Sequence, residues 1–264
     1  VTIDASTLSP ELQSVLASVP ERDTPTTAET VRFEGPGTDL EGYLAVPGDA
    51  TGPLPAVLVF HDWFGMVDHV KVRAEMLARL GYVALAGDIY GADVRPADGD
   101  EAASLAGSYY GDVELFRARA LANLEKLRAD PRVDSSRIAV MGYCFGGSGA
   151  LEVARSGADV AGVVAFHGGL GTAAPAEKGK VTAPVLVLTG ADDPIVPPSA
   201  VEAFEDEMRD AGAPDWQIVT YSGAVHAFAV PEANAPEQGA AFQETANRRS
   251  WQAMRDFLDE VFAA

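Results

Sequence analysis

Hydrophobic positions follow two alternating rhythms along the chain. Short runs rich in apolar and β-branched residues, over 56–60, 83–86, 138–141, 160–166, 185–189 and 217–221, read as strands. Between them, apolar residues recur at three- and four-residue spacing, predicting helices over about 67–80, 112–128, 147–156, 198–212 and 238–262. The last helix carries Phe242, Trp251, Met254, Phe257, Leu258 and Val261 as its apolar stripe. Strands buried on both faces and separated by helices make an α/β fold, a mostly parallel central sheet with helices on both faces. In such sheets, chemistry collects at the carboxyl ends of the strands.

The amino-terminal part reads differently. Ser9 caps a short helix with Pro10 in its first turn and Leu12, Val15 and Leu16 on one side, and a breaker-rich stretch, Thr24-Pro25-Thr26-Thr27, follows it. Residues 1–30 are expected to form an extension draped on one domain, 31–264. That domain opens with strands over 31–34 and 41–46 joined by a turn at Gly35-Pro36-Gly37. Residues 91–111 show no strand; they read as a lid or pocket wall, or else as an ordinary surface excursion.

Composition narrows the function classes. The chain has 264 residues, 39 acidic against 19 basic, and a formal charge of −20. That field repels nucleic acid and anionic membrane surfaces, and no apolar run approaches the roughly 20 residues of a membrane span. Nucleic acid and membrane are therefore not expected partners. One cysteine, Cys144, excludes an internal disulfide framework and any CxxC motif. A free thiol points to the cytoplasm, with an exported form whose leader has been removed as the alternative, since the sequence opens on Val1 rather than Met. No metal is implied, because His61 and His69 fall outside ligand spacings and HExxH is missing.

The cysteine lies in the most informative segment, Ile138-Ala-Val-Met-Gly142-Tyr-Cys144-Phe-Gly146-Gly147, an apolar strand running into G-x-C-x-G-G and a helix. This is the pattern of a nucleophile elbow with sulfur in place of oxygen. The turn is so tight that positions two before and two after the nucleophile must be nearly free of side chain. It also puts the Phe145 N–H and a helix N-terminus beside the sulfur, where developing negative charge is favoured. The plainer reading is a buried cysteine in a tight turn; a phosphate loop would need Lys after the glycines, and Ser148-Gly149 follows instead.

A cysteine nucleophile requires a base and an acid that orients it. In the order nucleophile, acid, histidine, two histidines follow Cys144: His167 and His226. Only His226 comes after an acidic turn, Asp192-Asp193-Pro194-Ile-Val-Pro197, so His167 is read as a pocket or packing residue. Spacing alone leaves Asp192 and Asp193 as competing acids.

At these residues the chain resembles the dienelactone hydrolase family of α/β hydrolases over roughly residues 40–262. The elbow is Gly142-Tyr-Cys144-Phe-Gly-Gly, the acid motif Asp193-Pro-Ile-Val-Pro197, the histidine loop Val225-His226-Ala-Phe228, and an acidic segment after the third strand is Asp62-Trp63-Phe64-Gly65. The resemblance implies an α/β-hydrolase fold and a Cys144–His226–Asp193 triad acting on a small-molecule carboxylic ester or lactone through a thioester, with no cofactor. It further implies oxyanion donors at the Trp63 and Phe145 amides, and an Asp62 that holds the resting thiol where many relatives use glutamate. The arginines with which relatives grip a dienelactone carboxylate are missing: Val230 stands four residues beyond His226, and no arginine lies between Arg95 and Arg117. Phe64, Tyr109, Tyr110 and Phe228 are expected to line an apolar substrate pocket. The alternatives are a broad aryl-ester or thioester hydrolase outside aromatic catabolism, and a non-catalytic binding protein or thiol sensor.

Overall fold

The buried runs assemble into one eight-stranded sheet in the computed structural model, which describes residues 2–263. In chain order the elements are α1 (Pro10–Ala17), β1 (Thr27–Gly35), β2 (Thr38–Val46), β3 (Leu54–Phe60), α2 (Asp68–Leu80), β4 (Val83–Gly87), α3 (Gly99–Gly111) and α4 (Val113–Arg128). They continue with β5 (Val133–Tyr143), α5 (Phe145–Ser156), β6 (Gly162–Phe166), β7 (Val185–Gly190), α6 (Pro198–Ala211), β8 (Trp216–Tyr221), β9 (Asn234–Ala235), β10 (Ala240–Ala241) and α7 (Glu244–Ala263). The sheet order is β1-β2-β4-β3-β5-β6-β7-β8. β1, β2 and β4 pair antiparallel and every remaining pair is parallel.

Alternation along the strands divides the core into two layers. Val57, Val59, Met141, Tyr143, Phe166 and Leu188 face α1, α2 and α7. Leu58, Phe60, Ile138, Val140, Ala165 and Val187 face α3, α4, α5 and α6. Helices thus cover both faces, as the paired rhythms predict. Trp251, Met254, Phe257 and Leu258 form the buried side of α7, each side chain contributing about 1.5–3 kcal/mol on burial.

β1, the 91–111 segment and α7 depart from the sequence reading, and β2, β3, β5, β6 and α5 also have shifted limits, β5 starting at Val133 rather than 138. β1 begins at Thr27, so residues 27–30, expected in the extension, pair with β2 from Thr27↔Val46 onward; α1 also buries Leu12, Val15 and Leu16. Residues 91–111 contain α3, capped by the Asp98 carboxylate at the Glu101 N–H and buried through Ala102, Ala106 and Tyr109. α7 starts at Glu244 rather than 238, because a turn built on Pro236 and Gly239 (φ 73°) folds β9 against β10.

The strand order places the site. β3 is flanked by β4 on one side and β5 on the other, so the connections leave in opposite directions and open a crevice at the carboxyl ends of β3 and β5. The Asp62–Gly65 turn follows β3, and Cys144 follows β5.

Candidate active site

Cys144 connects β5 directly to α5 with φ 53° and ψ −115°, a backbone conformation that side chains other than glycine rarely adopt. Its N–H is held by the Phe166 carbonyl at 2.9 Å. The flanking glycines are needed sterically: a Cβ on Gly142 would overlap the Gly146 carbonyl, and one on Gly146 would overlap the backbone of Phe60 and His61. Close approach at Gly146 also brings the first turn of α5 against the end of β3. Amides in the first turn of a helix have no intrahelical acceptor, and that of Phe145 heads α5. Trp63 sits in the neighbouring turn, closed by Gly65 N–H donating to Asp62 O at 3.1 Å and by Phe64 N–H donating to Asp62 Oδ1 at 2.8 Å.

His226 lies 3.0 Å through Nε2 from the Cys144 sulfur and 2.9 Å through Nδ1 from Asp193 Oδ2. Its main chain is clamped by the small hairpin, donating to Gly239 O at 2.9 Å and accepting from Ala241 N–H at 3.0 Å. Asp193 is buried, and its second oxygen accepts the N–H groups of Ile195 (2.8 Å) and Val196 (3.2 Å). Asp192 is exposed, so geometry separates the two adjacent acids.

The four histidines divide by environment. Burial pushes His61, His69 and His167 below the ordinary imidazole value, His167 furthest, with the charges of His226 and His69 adding to the effect. Burial also opposes the cation at His226, but the Cys144 sulfur and the Asp193 carboxylate outweigh it and push the group up to about 10. His61 Nδ1 lies 2.6 Å from Asp62 O while its Nε2 accepts the Ile89 N–H at 3.1 Å, which fixes a neutral tautomer. His167 (φ 38°) packs beside His226, Phe228 and Tyr143, with ring centroids 5.3, 5.1 and 6.0 Å away.

Other expected site residues fall in two groups. Trp63 and Phe64 are exposed at the crevice, and Tyr110, 44% exposed, donates to or accepts from Ser148 Oγ at 3.2 Å and lies within electrostatic reach of Cys144. Phe228 and Tyr109 do not line a pocket, a correction to their expected role. Phe228 is fully buried between His167 and Tyr221, and the Tyr109 hydroxyl is bonded to Arg119 and Tyr90 O within the core. Asp62 is likewise corrected. Its two oxygens are engaged by Phe64 N–H and by His69 Nδ1 (3.3 Å), and the sulfur is met by His226 instead. Tyr90, missed in the sequence, is buried beside the Asp62–Gly65 turn and donates to Trp63 O at 3.0 Å; its place after the β4 end, in Asp88-Ile-Tyr90, was the available signal. Among the described residues, no group of three or more His, Cys, Asp or Glu converges as a metal-binding set, and no helix is long and apolar enough to cross a membrane.

A parallel sheet with a strained cysteine turn between β5 and α5, and an acid and a histidine supplied after β7 and β8, defines the α/β-hydrolase fold. Known proteins resolve the class further. The family model for the dienelactone hydrolase family matches residues 40–262, and this chain belongs to that family. A solved structure named m3DLH is 39% identical, covering 90% of this chain and 99% of its own, with a TM-score of 0.86. The crystal structure of a dienelactone hydrolase-like promiscuous phosphotriesterase from metagenomic libraries is 40% identical over 89% of this chain and 98% of its own, with a TM-score of 0.84. A Yersinia pestis protein provisionally named carboxymethylenebutenolidase is 29% identical over 248 residues, 85% of each chain. The protein is a dienelactone hydrolase-like hydrolase.

Proposed function

We propose that the protein hydrolyses neutral carboxylic esters or lactones with Cys144 as nucleophile, His226 as base and acid, and Asp193 as its orienting carboxylate. The observation that carries this reading is the unbroken line from sulfur to Nε2 (3.0 Å) and from Nδ1 to carboxylate (2.9 Å). With the shared proton held on Nε2, where the sulfur and Asp193 favour the imidazolium, the sulfur attacks the carbonyl carbon, the C–S bond forms, and the carbonyl electron pair moves onto oxygen beside the Trp63 and Phe145 amides. The oxyanion then collapses, the C–O bond breaks, and the imidazolium gives its proton to the departing alkoxide. Water, deprotonated by His226, attacks the thioester and releases the acid and the thiol. Asp193 keeps the Nδ1 proton in place and steadies the imidazolium.

Neutral substrates are favoured by what surrounds the crevice. Val230 stands where relatives place a carboxylate-gripping arginine, Arg95 is paired with Glu41 at 3.2 Å, and Trp63, Phe64 and Tyr110 offer exposed aromatic surface. A second reading, hydrolysis of aryl phosphotriesters by attack of the same thiol on phosphorus, is supported by the 40% identity to the promiscuous phosphotriesterase. The test is turnover of an aryl ester, a carboxylate-bearing dienelactone and an aryl phosphotriester by the wild type and Cys144→Ala. Loss of at least about a thousandfold in kcat on the aryl ester supports the thiol role; unchanged turnover refutes it. Strong preference for the anionic dienelactone refutes the neutral-substrate assignment.

A further inference from the structure

Arg73, on α2, is 1% exposed and has no carboxylate partner among the described residues. Burying an unpaired charge is expensive unless fixed dipoles replace the lost water. Here they come from three separate parts of the chain. Nη2 donates to the Ala229 carbonyl at 2.6 Å and to Asn247 Oδ1 at 2.7 Å, and Nε donates to His69 Nε2 at 3.4 Å. The guanidinium also lies over the rings of Tyr143 (5.2 Å) and Trp251 (5.3 Å).

Each arm ends at a piece of the reaction machinery. Because His69 Nε2 accepts from Arg73, the His69 proton sits on Nδ1, which faces Asp62 Oδ2 at 3.3 Å. The other Asp62 oxygen closes the turn that carries the Trp63 amide. The second arm holds Ala229, three residues beyond His226 on the same loop, and the third ties that loop to α7 through Asn247. The geometry points to Arg73 as a positioning residue that holds the Trp63 turn and the His226 loop in fixed register, a role that rests on the triad reading above. Lysine cannot take its place: a single ammonium nitrogen cannot meet His69 at the Nε position and Ala229 and Asn247 at the Nη2 position, as the guanidinium fork does.

The distance from β3 to the His226 loop is thereby spanned by one buried side chain touching neither sulfur nor substrate. Loosening it should misplace the oxyanion donor relative to the base while leaving substrate affinity alone, and displacement of about 1 Å is enough to cost roughly a hundredfold in rate. The experiment measures kcat and KM for an aryl ester in Arg73→Met, Arg73→Lys, His69→Phe and His69→Gln, each corrected for the folded fraction from a urea titration. Asn247→Leu, which removes one arm from outside the crevice, stands in if the Arg73 variants do not fold. The expected result is kcat per folded chain lowered about 10- to 100-fold in Arg73→Met, Arg73→Lys and His69→Phe. Asn247→Leu should move the same way by less, KM should stay within about threefold, and His69→Gln, which can accept from Arg73 and donate to Asp62, should recover most of the rate. Per-chain kcat within about threefold of wild type in Arg73→Met and His69→Phe, or in Asn247→Leu if it stands in, overturns the proposal as a purely structural role. Cys144→Ala in the same assay separates the two levels. If it is inactive, failure of the Arg73 series sinks only this proposal, whereas its full activity would sink the thiol reading and this proposal together.

Discussion

Asp193→Asn is the sharpest perturbation that the geometry permits, because it exchanges one atom and reverses one proton. Asp193 Oδ1 accepts two backbone N–H groups, from Ile195 at 2.8 Å and Val196 at 3.2 Å. An asparagine that turned its NH2 toward them would forfeit both bonds, and the buried Val196 N–H would be left unpaired at a cost of about 1–3 kcal/mol. The amide oxygen therefore keeps the Oδ1 position and the NH2 faces His226 Nδ1. To accept from it, Nδ1 must be unprotonated, and the ring proton moves to Nε2, 3.0 Å from the sulfur. A base already carrying its proton cannot take another from the thiol. Wrong-tautomer variants of the Ser-His-Asp type lose about 10,000-fold in kcat, which corresponds to about 5 kcal/mol of transition-state stabilisation. The assay is initial-rate hydrolysis of an aryl ester by Asp193→Asn and, as a control, by Asp192→Asn, whose side chain is exposed. Asp193→Asn should be nearly inactive and Asp192→Asn close to wild type. Loss of less than about tenfold in Asp193→Asn, or a larger loss in Asp192→Asn, refutes the tautomer argument.

Further expectations follow from the same contacts. Gly146→Ala places a methyl group against the Phe60 and His61 backbone, so the variant should unfold at clearly lower urea concentration than wild type; an unchanged midpoint would show that the elbow is looser than described. The His226 proton is held up to about 10, above the ordinary 6.5, so its contribution to stability is complete below about 6.5 and is lost as pH rises through about 10. Nuclear magnetic resonance titration should place His226 far above the other histidines in wild type and lower it in Cys144→Ala, where the sulfur's pull is gone; equal values in both proteins would contradict the assignment. Phe228→Ala, at a fully buried site, should cost about 3–5 kcal/mol of stability without shifting preference among esters of different acyl length. A shift in preference with stability intact would restore Phe228 to the pocket wall.

The sheet and the elbow were legible because both are written in local pattern. Val57 to Phe60 and Ile138 to Met141 are apolar without interruption because the sheet buries both faces, and Gly142 is required by the backbone of Gly146 four residues on, whereas Gly146 is required by the distant end of β3 and was readable only as part of the elbow pattern. The hairpin turn at Pro36-Gly37 was equally local. α3 escaped because its buried side is only Ala102, Ala106 and Tyr109 in a segment of Gly, Ala and Ser; the Asp98 cap with acidic residues in the first turn was the readable signal. The direction of an aromatic side chain is not local. Phe228 lies two residues from His226 yet points into the core, while Tyr110, adjacent to buried Tyr109, reaches Ser148 beside the elbow. The Asp62–His69–Arg73 chain was illegible for the same reason, since Arg73 meets Ala229 and Asn247 at separations of 156 and 174 residues. Asp62 was expected to meet the thiol by analogy with longer glutamates, and its own turn and His69 claim it instead.

The most direct test of the account is intact-protein and peptide mass spectrometry after rapid acid quench of the protein mixed with an activated aryl ester. Within the turnover time, one acyl group should appear on the peptide containing Cys144, decay as substrate is exhausted, and be absent in Cys144→Ala. Continued hydrolysis with no acyl group on that peptide would contradict the covalent mechanism, and an adduct that forms once and never decays would identify a thiol sensor in place of an enzyme.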